Sequence, residues 1–413
     1  MSCEYNKMIK MNKLQTLKGF RDFLPEEALK RAWLKGKLIK IFENWGYDPL
    51  ETPTLEPLEI FEGEIGEGEQ MFYKFKDNGG RNVALRYDQT VPTCRVVGQY
   101  ANELPMPFKR YQIQSAYRCE NTQKGRYREF LQCDADIFGI TSPLADAETI
   151  ALSLDIYKQL GFKKAIVSIN DRALLKDLPY EAVVAIDKLK KIGEESVLKE
   201  MTNKGISIEK AKEYFNQVKN LKPNKTIQTI LDYLRNSGFE NDWYKFEPTL
   251  ARSFSYSTGP IWEVEIPKFE AGSVLGGERY DKIVLNISGK DIPGTGFGMG
   301  FDRSLEAAEQ FGLIPQLKTK SQVLVTIFSP ELLIQSIKIA KQLREKNLNT
   351  ELFPDDNTKL DKQLKYADKK GIPFVVIIGP EEVDTKTITL KNLKTKEQNK
   401  VSVSEVAKLV SSC

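Results

Sequence analysis

Apolar positions recur at helical spacing over residues 21–47, where Leu34, Leu38, Ile41, Phe42 and Trp45 share one stripe and Gly46 ends the run. The next ten residues, DPLETPTLEP, are extended, because Pro53 and Pro57 disfavour helix at and before themselves. Four strand-like runs follow: MFYKF, VALRYD, PFKRYQIQSAYRCE and YREFLQCDADIFGI. Residues 143–160 return to helix, with Ser142 as cap, Pro143 in the first turn and Gly161 at the end.

From about residue 175 to 240 the pattern is rich in lysine and glutamate and helical in EAVVAIDKLKKIG and TIQTILDYLRNSG, as expected of a helical insertion between strand-rich halves. Strands resume in GPIWEVEIP and GSVLGGERYDKIV, and GTGFGMGFDRSLEAAEQFG runs into a helix. Beyond LIPQLKTKSQ the order is strand 323–328, helix 330–346, strand 350–353, helix 358–370, strand 374–378, then TITLKNL and a last helix, which predicts a small α/β domain. The divisions expected are 1–174, an insertion over 175–240, a second strand-rich part over 241–313, a linker over 314–321 and a tail domain over 322–413.

Composition excludes more than it selects. The 413 residues are 41% hydrophobic and 29% charged, with a net charge of +4, too balanced for bulk charge to mark a nucleic-acid binder. Cys3, Cys94, Cys119, Cys133 and Cys413 are scattered without a CxxC pair, which argues against a disulfide framework or zinc site and fits a reducing cytoplasm. The first twenty residues have no apolar core of a signal peptide, and no run approaches the ~18 apolar residues of a membrane span. There is no histidine. Imidazole general bases and Ser-His or Cys-His pairs are therefore excluded, leaving carboxylates, lysines, metal or positioned positive charge for any chemistry.

Residues 114–139 read as two strands joined by a polar loop. Alternate residues of a strand share a face, so Arg118 pairs with Glu120 on the first strand, and Arg126, Arg128, Phe130, Gln132, Asp134 and Asp136 line one face of the second. The opposite face, Tyr127, Leu131, Cys133, Ala135 and Ile137, is mostly apolar. In LRYDQT the same alternation places Arg86, Asp88 and Thr90 together, a set suited to a zwitterion and equally to a surface ion pair. GFGMGFDRS puts Gly296, Gly298 and Gly300 ahead of a helix bearing Arg303; no Gly-Lys-Ser or Gly-Lys-Thr follows, so it is not a Walker loop.

Together these segments resemble the histidyl-tRNA synthetase family of class II aminoacyl-tRNA synthetases, over nearly the whole chain. GFRDFLP and ETPTLE are similar to the opening and motif 1, YRCENTQKGRYREFLQCDADIFG to motif 2, GFGMGFDRS to motif 3, and LRYDQTVP and ARSFSYSTGPIWEVEI to the two histidine signatures. KQLKYADKKGIPFVVIIG resembles the anticodon-binding domain. The resemblance implies an α+β catalytic domain on an antiparallel sheet with flanking helices, a helical insertion and a C-terminal α/β anticodon-binding domain. It also implies ATP-dependent activation of L-histidine, transfer to histidine tRNA, a homodimer through the segment of Pro53, and a cytoplasmic location without membrane. The family also includes a non-catalytic paralogue of the type that regulates ATP phosphoribosyltransferase. The tail domain and the retained Arg118, Arg252 and Arg303 favour the ligase, and a synthetase of altered amino-acid specificity is the third reading.

The resemblance also implies roles. Arg118 holds the α-phosphate of ATP, Glu120 accepts from the adenine amino group, Phe130 lies under the ring, Arg126 reaches the outer phosphates and Arg303 clamps the far side, with Mg²⁺ balancing the remaining charge and no metal-ligating residue assigned. Asp88, Thr90 and Gln132 take the substrate ammonium, Arg252 spans α-phosphate and substrate carboxylate, and Asp136 meets the imidazole. The family's second imidazole partner is a tyrosine, where this chain has Ser257; water or Tyr256 is the expected substitute. Asn121 and Thr122 also depart from the arginine and proline of many bacterial motif 2 loops, with Lys124 left to meet tRNA phosphate.

Overall fold

Alternation of polar and apolar residues over 129–138 organises the main sheet, because one face must be buried and the other can be furnished with charge. The structure, a computed structural model, describes residues 14–62, 71–119, 121, 127–252, 256–316 and 318–411. The helices are α1 (Pro25–Asn44), α2 (Thr90–Gln99), α3 (Pro143–Gln159), α4 (Tyr180–Ile186), α5 (Leu189–Asn203), α6 (Ile208–Lys219), α7 (Lys225–Asn236), α8 (Ile283–Ser288), α9 (Phe301–Gln310), α10 (Leu333–Glu345), α11 (Leu360–Lys370), α12 (Pro380–Thr385) and α13 (Val403–Ser411). The strands are β1 (Asp48–Pro49), β2 (Leu55–Pro57), β3 (Lys74–Lys76), β4 (Asn82–Leu85), β5 (Phe108–Tyr117), β6 (Glu129–Phe138), β7 (Ile166–Asp171), β8 (Tyr244–Phe246), β9 (Pro260–Glu265), β10 (Leu275–Arg279), β11 (Gly294–Gly300), β12 (Val323–Val325), β13 (Thr350–Leu352), β14 (Phe374–Ile377), β15 (Ile388–Asn392) and β16 (Gln398–Val401).

The chain divides into two compact units, residues 1–22 with 34–314, and residues 23–33 with 315–413. In the first, eight strands form one sheet in the order β1-β5-β6-β11-β10-β9-β7-β8. Its interior pairs are antiparallel, and only the edge pairs β1–β5 and β7–β8 are parallel. α3 packs on one face. It starts where Ser142 accepts the amide of Leu144 with Pro143 in the first turn, and the chain leaves through Gly161 at φ +97°. Beneath it lie Cys133, Ala135, Ile137, Phe297, Met299 and Trp262, all essentially buried. The Trp262 indole donates to Ser153 at 3.2 Å, and Arg279 is held by Asp146 of α3 at 2.9 Å.

α4, α5 and α6 share a separate core that includes Leu175, Val183, Ile186, Met201 and Phe215. The fourth helix of the lysine-rich segment, α7, is capped by Asn224 and packs instead on α3. The second unit has a five-stranded sheet, β13-β12-β14-β15-β16, with apolar clusters around Val325, Leu343 and Val376 and around Leu324, Ala367 and Val375.

Two local expectations are corrected. Arg86, Asp88 and Thr90 do not alternate along a strand: β4 ends at Leu85 and α2 begins at Thr90. Arg86 turns inward, 2% exposed, and donates to the carbonyls of Ser115 (2.7 Å) and Thr52 (2.8 Å). The strand expected to run on through Val284 stops at Arg279, and α8 takes up Ile283 and Val284 as buried residues.

Candidate active site

The face of the main sheet opposite α3 is built in rows fixed by strand register. One row runs Arg110, Asp136, Gly296, Glu278 across β5, β6, β11 and β10. The next runs Gln112, Asp134, Gly298, Gly276, and a third Gln114, Gln132, Gly300. The glycines of β11 run directly into α9, and on the sheet they form the middle of a floor with charged side chains around it. A Cβ on Gly296 would lie 2.0 Å from Asp136 Oδ1, and one on Gly276 2.3 Å from Arg252 Nη1. Any side chain here would displace the charged groups that close over the floor.

At the Gly296 end, Arg110 forms an ion pair with Asp136, and the Tyr280 hydroxyl donates to the same carboxylate. Burial pushes Asp136 above the usual carboxylate range against the pull of Arg110, and pushes Asp134 well above it. Gln132 donates to Asp134 at 2.9 Å. Asp88, just ahead of α2, accepts the amide of Val91 at 3.3 Å. Burial raises its pKa to about 6 despite Arg118. An acid whose folded pKa is raised adds stability below its ordinary 3.8 and loses it as pH rises through about 6. Keeping Asp88 ionised at neutral pH thus costs about 3 kcal/mol. A cation bound beside these carboxylates would offset that cost.

Arg118 donates from Nε to the carbonyl of Tyr87 at 3.0 Å, and its guanidinium stands 5.2 Å from the centre of the Phe130 ring. Arg252 Nε lies 3.3 Å from Glu278 Oε1. Burial opposes its charge, yet Glu278 and its neighbours hold its pKa above the ordinary value. Tyr256 feels Glu278, Asp88, Arg252 and Arg118 at once, so these groups surround one region. At the Gly300 end Arg303 donates to the carbonyl of Ser273 at 2.9 Å, beside Asp302, which pairs with Arg21 at 2.9 Å. Gly296 and Gly300 are four residues apart on a strand, so the two ends are separated by about 13 Å.

The structure thus brings Asp88, Arg118, Phe130, Gln132, Asp136, Arg252 and Tyr256 around one floor and places Arg303 at its far end. Thr90 is the first residue of α2 and half-buried. Glu120 and Arg126, with Thr122 and Lys124, lie outside the described residues, as do Ser253 and Ser255. Sequence reasoning missed Arg110, Glu278 and Tyr280. Gly276 and Glu278 do alternate in LGGER, but their partners across the sheet come from distant segments.

Comparison with known proteins fits this geometry. The family model described as "Histidyl-tRNA synthetase" matches residues 19–195, and that described as "Anticodon binding domain" matches 322–412. The histidine–tRNA ligase of Christiangramia forsetii is 37% identical over 92% of this chain and 96% of its own length. The chain belongs to the histidyl-tRNA synthetase family. A second relative, the histidine–tRNA ligase of Cytophaga hutchinsonii, is 35% identical over 96% of this chain and 99% of its own. Among solved structures, the histidyl-tRNA synthetase of Nostoc sp. PCC 7120 matches with a TM-score of 0.83 at 27% identity, over 97% of this chain and 99% of that one. A Bacillus halodurans protein described as an ATP phosphoribosyltransferase regulatory subunit/histidyl-tRNA synthetase shares the fold, with a TM-score of 0.70 at 23% identity over 86% of this chain and 96% of that one.

Ser257 lies beside Glu278 in the same site. Its hydroxyl is buried and donates to Glu278. Tyr256, the expected substitute, is half-buried against the apolar cluster that holds Cys94, Phe138, Tyr280 and Ile283.

Proposed function

We propose that this chain is a histidine–tRNA ligase that joins histidine to ATP, releasing pyrophosphate, and passes the histidyl group from the adenylate to the 3′ end of histidine tRNA. The observation that carries the reading is the glycine floor, with Asp136 and Glu278 at its Gly296 end, Arg252 over its middle beside Gly276, and Phe130, Arg118 and Arg303 toward its Gly300 end. An amino acid and the triphosphate of ATP fit along that line.

The carboxylate of histidine is already anionic and attacks the α-phosphorus without a general base, which a chain lacking histidine can support. Catalysis is then alignment and stabilisation of charge at phosphorus. Arg118 and Arg252 supply rigid forks for the α-phosphate, Phe130 packs against the adenine, and Arg303 meets the outer phosphates. Mg²⁺ enters as the counter-ion of ATP. Asp88, Thr90 and Gln132 receive the ammonium group and Asp136 the imidazole. Glu120 and Arg126 complete the nucleotide site on the motif 2 segment. The unit holding residues 322–412 reads the anticodon, and the protein works as a class II homodimer in the cytoplasm.

The test is charging. Purified protein with ATP, Mg²⁺ and labelled histidine is expected to load histidine tRNA and to leave a tRNA of another specificity unloaded. Release of pyrophosphate without any loading would contradict the transfer step.

A further inference from the structure

Asp136, Gly296 and Glu278 are successive partners on three neighbouring strands, all on the face that carries the candidate site. Strands lie about 4.8 Å apart, so two carboxylate-bearing positions flank a glycine at a span of about 10 Å. The glycine cannot be filled: a Cβ there would meet the Asp136 carboxylate and, at 2.6 Å, the Ala135 carbonyl. The Asp136 carboxylate itself lies over this glycine, and the slot is what remains between it and Glu278.

The two walls are built differently. Asp136 is fixed by Arg110 and Tyr280. Glu278, 6% exposed, accepts the Ser257 hydroxyl through one oxygen and faces Arg252 with the other. A buried carboxylate must be partnered, but each of its oxygens accepts more than one hydrogen bond, so both acids keep capacity toward the slot. The short side chain of Ser257 reaches Glu278. Among the described residues, Arg252, Tyr256, Tyr280, Asp134, Asp88, Arg110, Arg118, Glu263 and Asp187 are charged or titratable groups that act on this part of the site.

We propose that Glu278 is a specificity-determining residue: it forms the wall of the slot opposite Asp136 and accepts one ring N–H of histidine while Asp136 accepts the other. The ligand class is a five-membered ring bearing an N–H at two separated positions, an imidazolium, held by two charge-assisted hydrogen bonds. This rests on the histidine-activation reading above.

The experiment compares wild type, E278Q and E278A in ATP–pyrophosphate exchange, with histidine and with its two ring-methylated isomers, reading KM and kcat separately. Wild type is expected to use histidine and to reject both isomers. E278A is expected to raise the KM for histidine by about 10- to 100-fold, the range for loss of a hydrogen bond to a charged group, with a smaller change in kcat. It should also stop discriminating against one isomer, whose methyl replaces the N–H that Glu278 accepts, while still rejecting the other. E278Q keeps the volume and the Ser257 contact, should fall between the two, and decides the matter if E278A does not fold. Unchanged discrimination between the isomers, or a fall in kcat with KM for histidine intact, would overturn the inference and leave Glu278 as a seat for Arg252. Wild type that activates no histidine would overturn the functional reading and this inference together. Activity of wild type with unaltered selectivity in the variants overturns this inference alone.

Discussion

Arg252→Ala is expected to lower kcat for histidine-dependent ATP–pyrophosphate exchange by about 10²- to 10³-fold, with a much smaller effect on the KM for ATP. The guanidinium stands within reach of Glu278 and close over Gly276, where no side chain fits. Its charge is sustained by Glu278 in spite of burial, and in the proposed reaction this permanent cation meets the negative charge that develops at phosphorus. A group that acts mainly on the transition state lowers kcat rather than raising KM. Arg252→Lys should recover only part of the loss, because an ammonium cannot span phosphate and carboxylate as a planar fork does. The check is steady-state exchange at saturating histidine, alongside a thermal melt that separates lost chemistry from lost fold. Unaltered kcat in a folded R252A protein would remove Arg252 from the reaction.

The second large effect is on stability. Asp136→Ala is expected to destabilise the first unit by about 3–5 kcal/mol, measured by urea unfolding, because Arg110 is then left as a buried cation without its carboxylate. The side chains of Arg110 and Asp136 are 0% and 4% exposed, so solvent cannot replace the lost partner. Asp136→Asn should cost less, since the amide oxygen can still accept from Tyr280. Both variants should also lose affinity for histidine. An Asp136→Ala protein as stable as wild type would show that Arg110 finds another partner.

The faces of β6 were legible because its alternation is strict from Gln132 to Ile137, and one-residue slippage would bury Asp134 and Asp136 under α3. The limits of α3 were legible from Ser142, Pro143 and Gly161, each acting within its own turn. α2 was not. Its Val91, Val96 and Val97 are β-branched and favour strand locally, and helix wins through packing of Val97 and Cys94 against Ile283 and Val284 of α8. The glycines of motif 3 carried too little information alone. Their meaning comes from pairing with β6 on one side and β10 on the other, contacts between residues more than 100 positions apart for the first pair. Glu278 escaped notice for the same reason: only the assembled sheet sets it across Gly296 from Asp136.

The most direct test of the account is ATP–pyrophosphate exchange by the intact chain, with each of the twenty amino acids in turn and no tRNA. The account predicts exchange with histidine and with no other amino acid. Exchange driven by a different amino acid, or none in a folded protein that binds histidine, would contradict it.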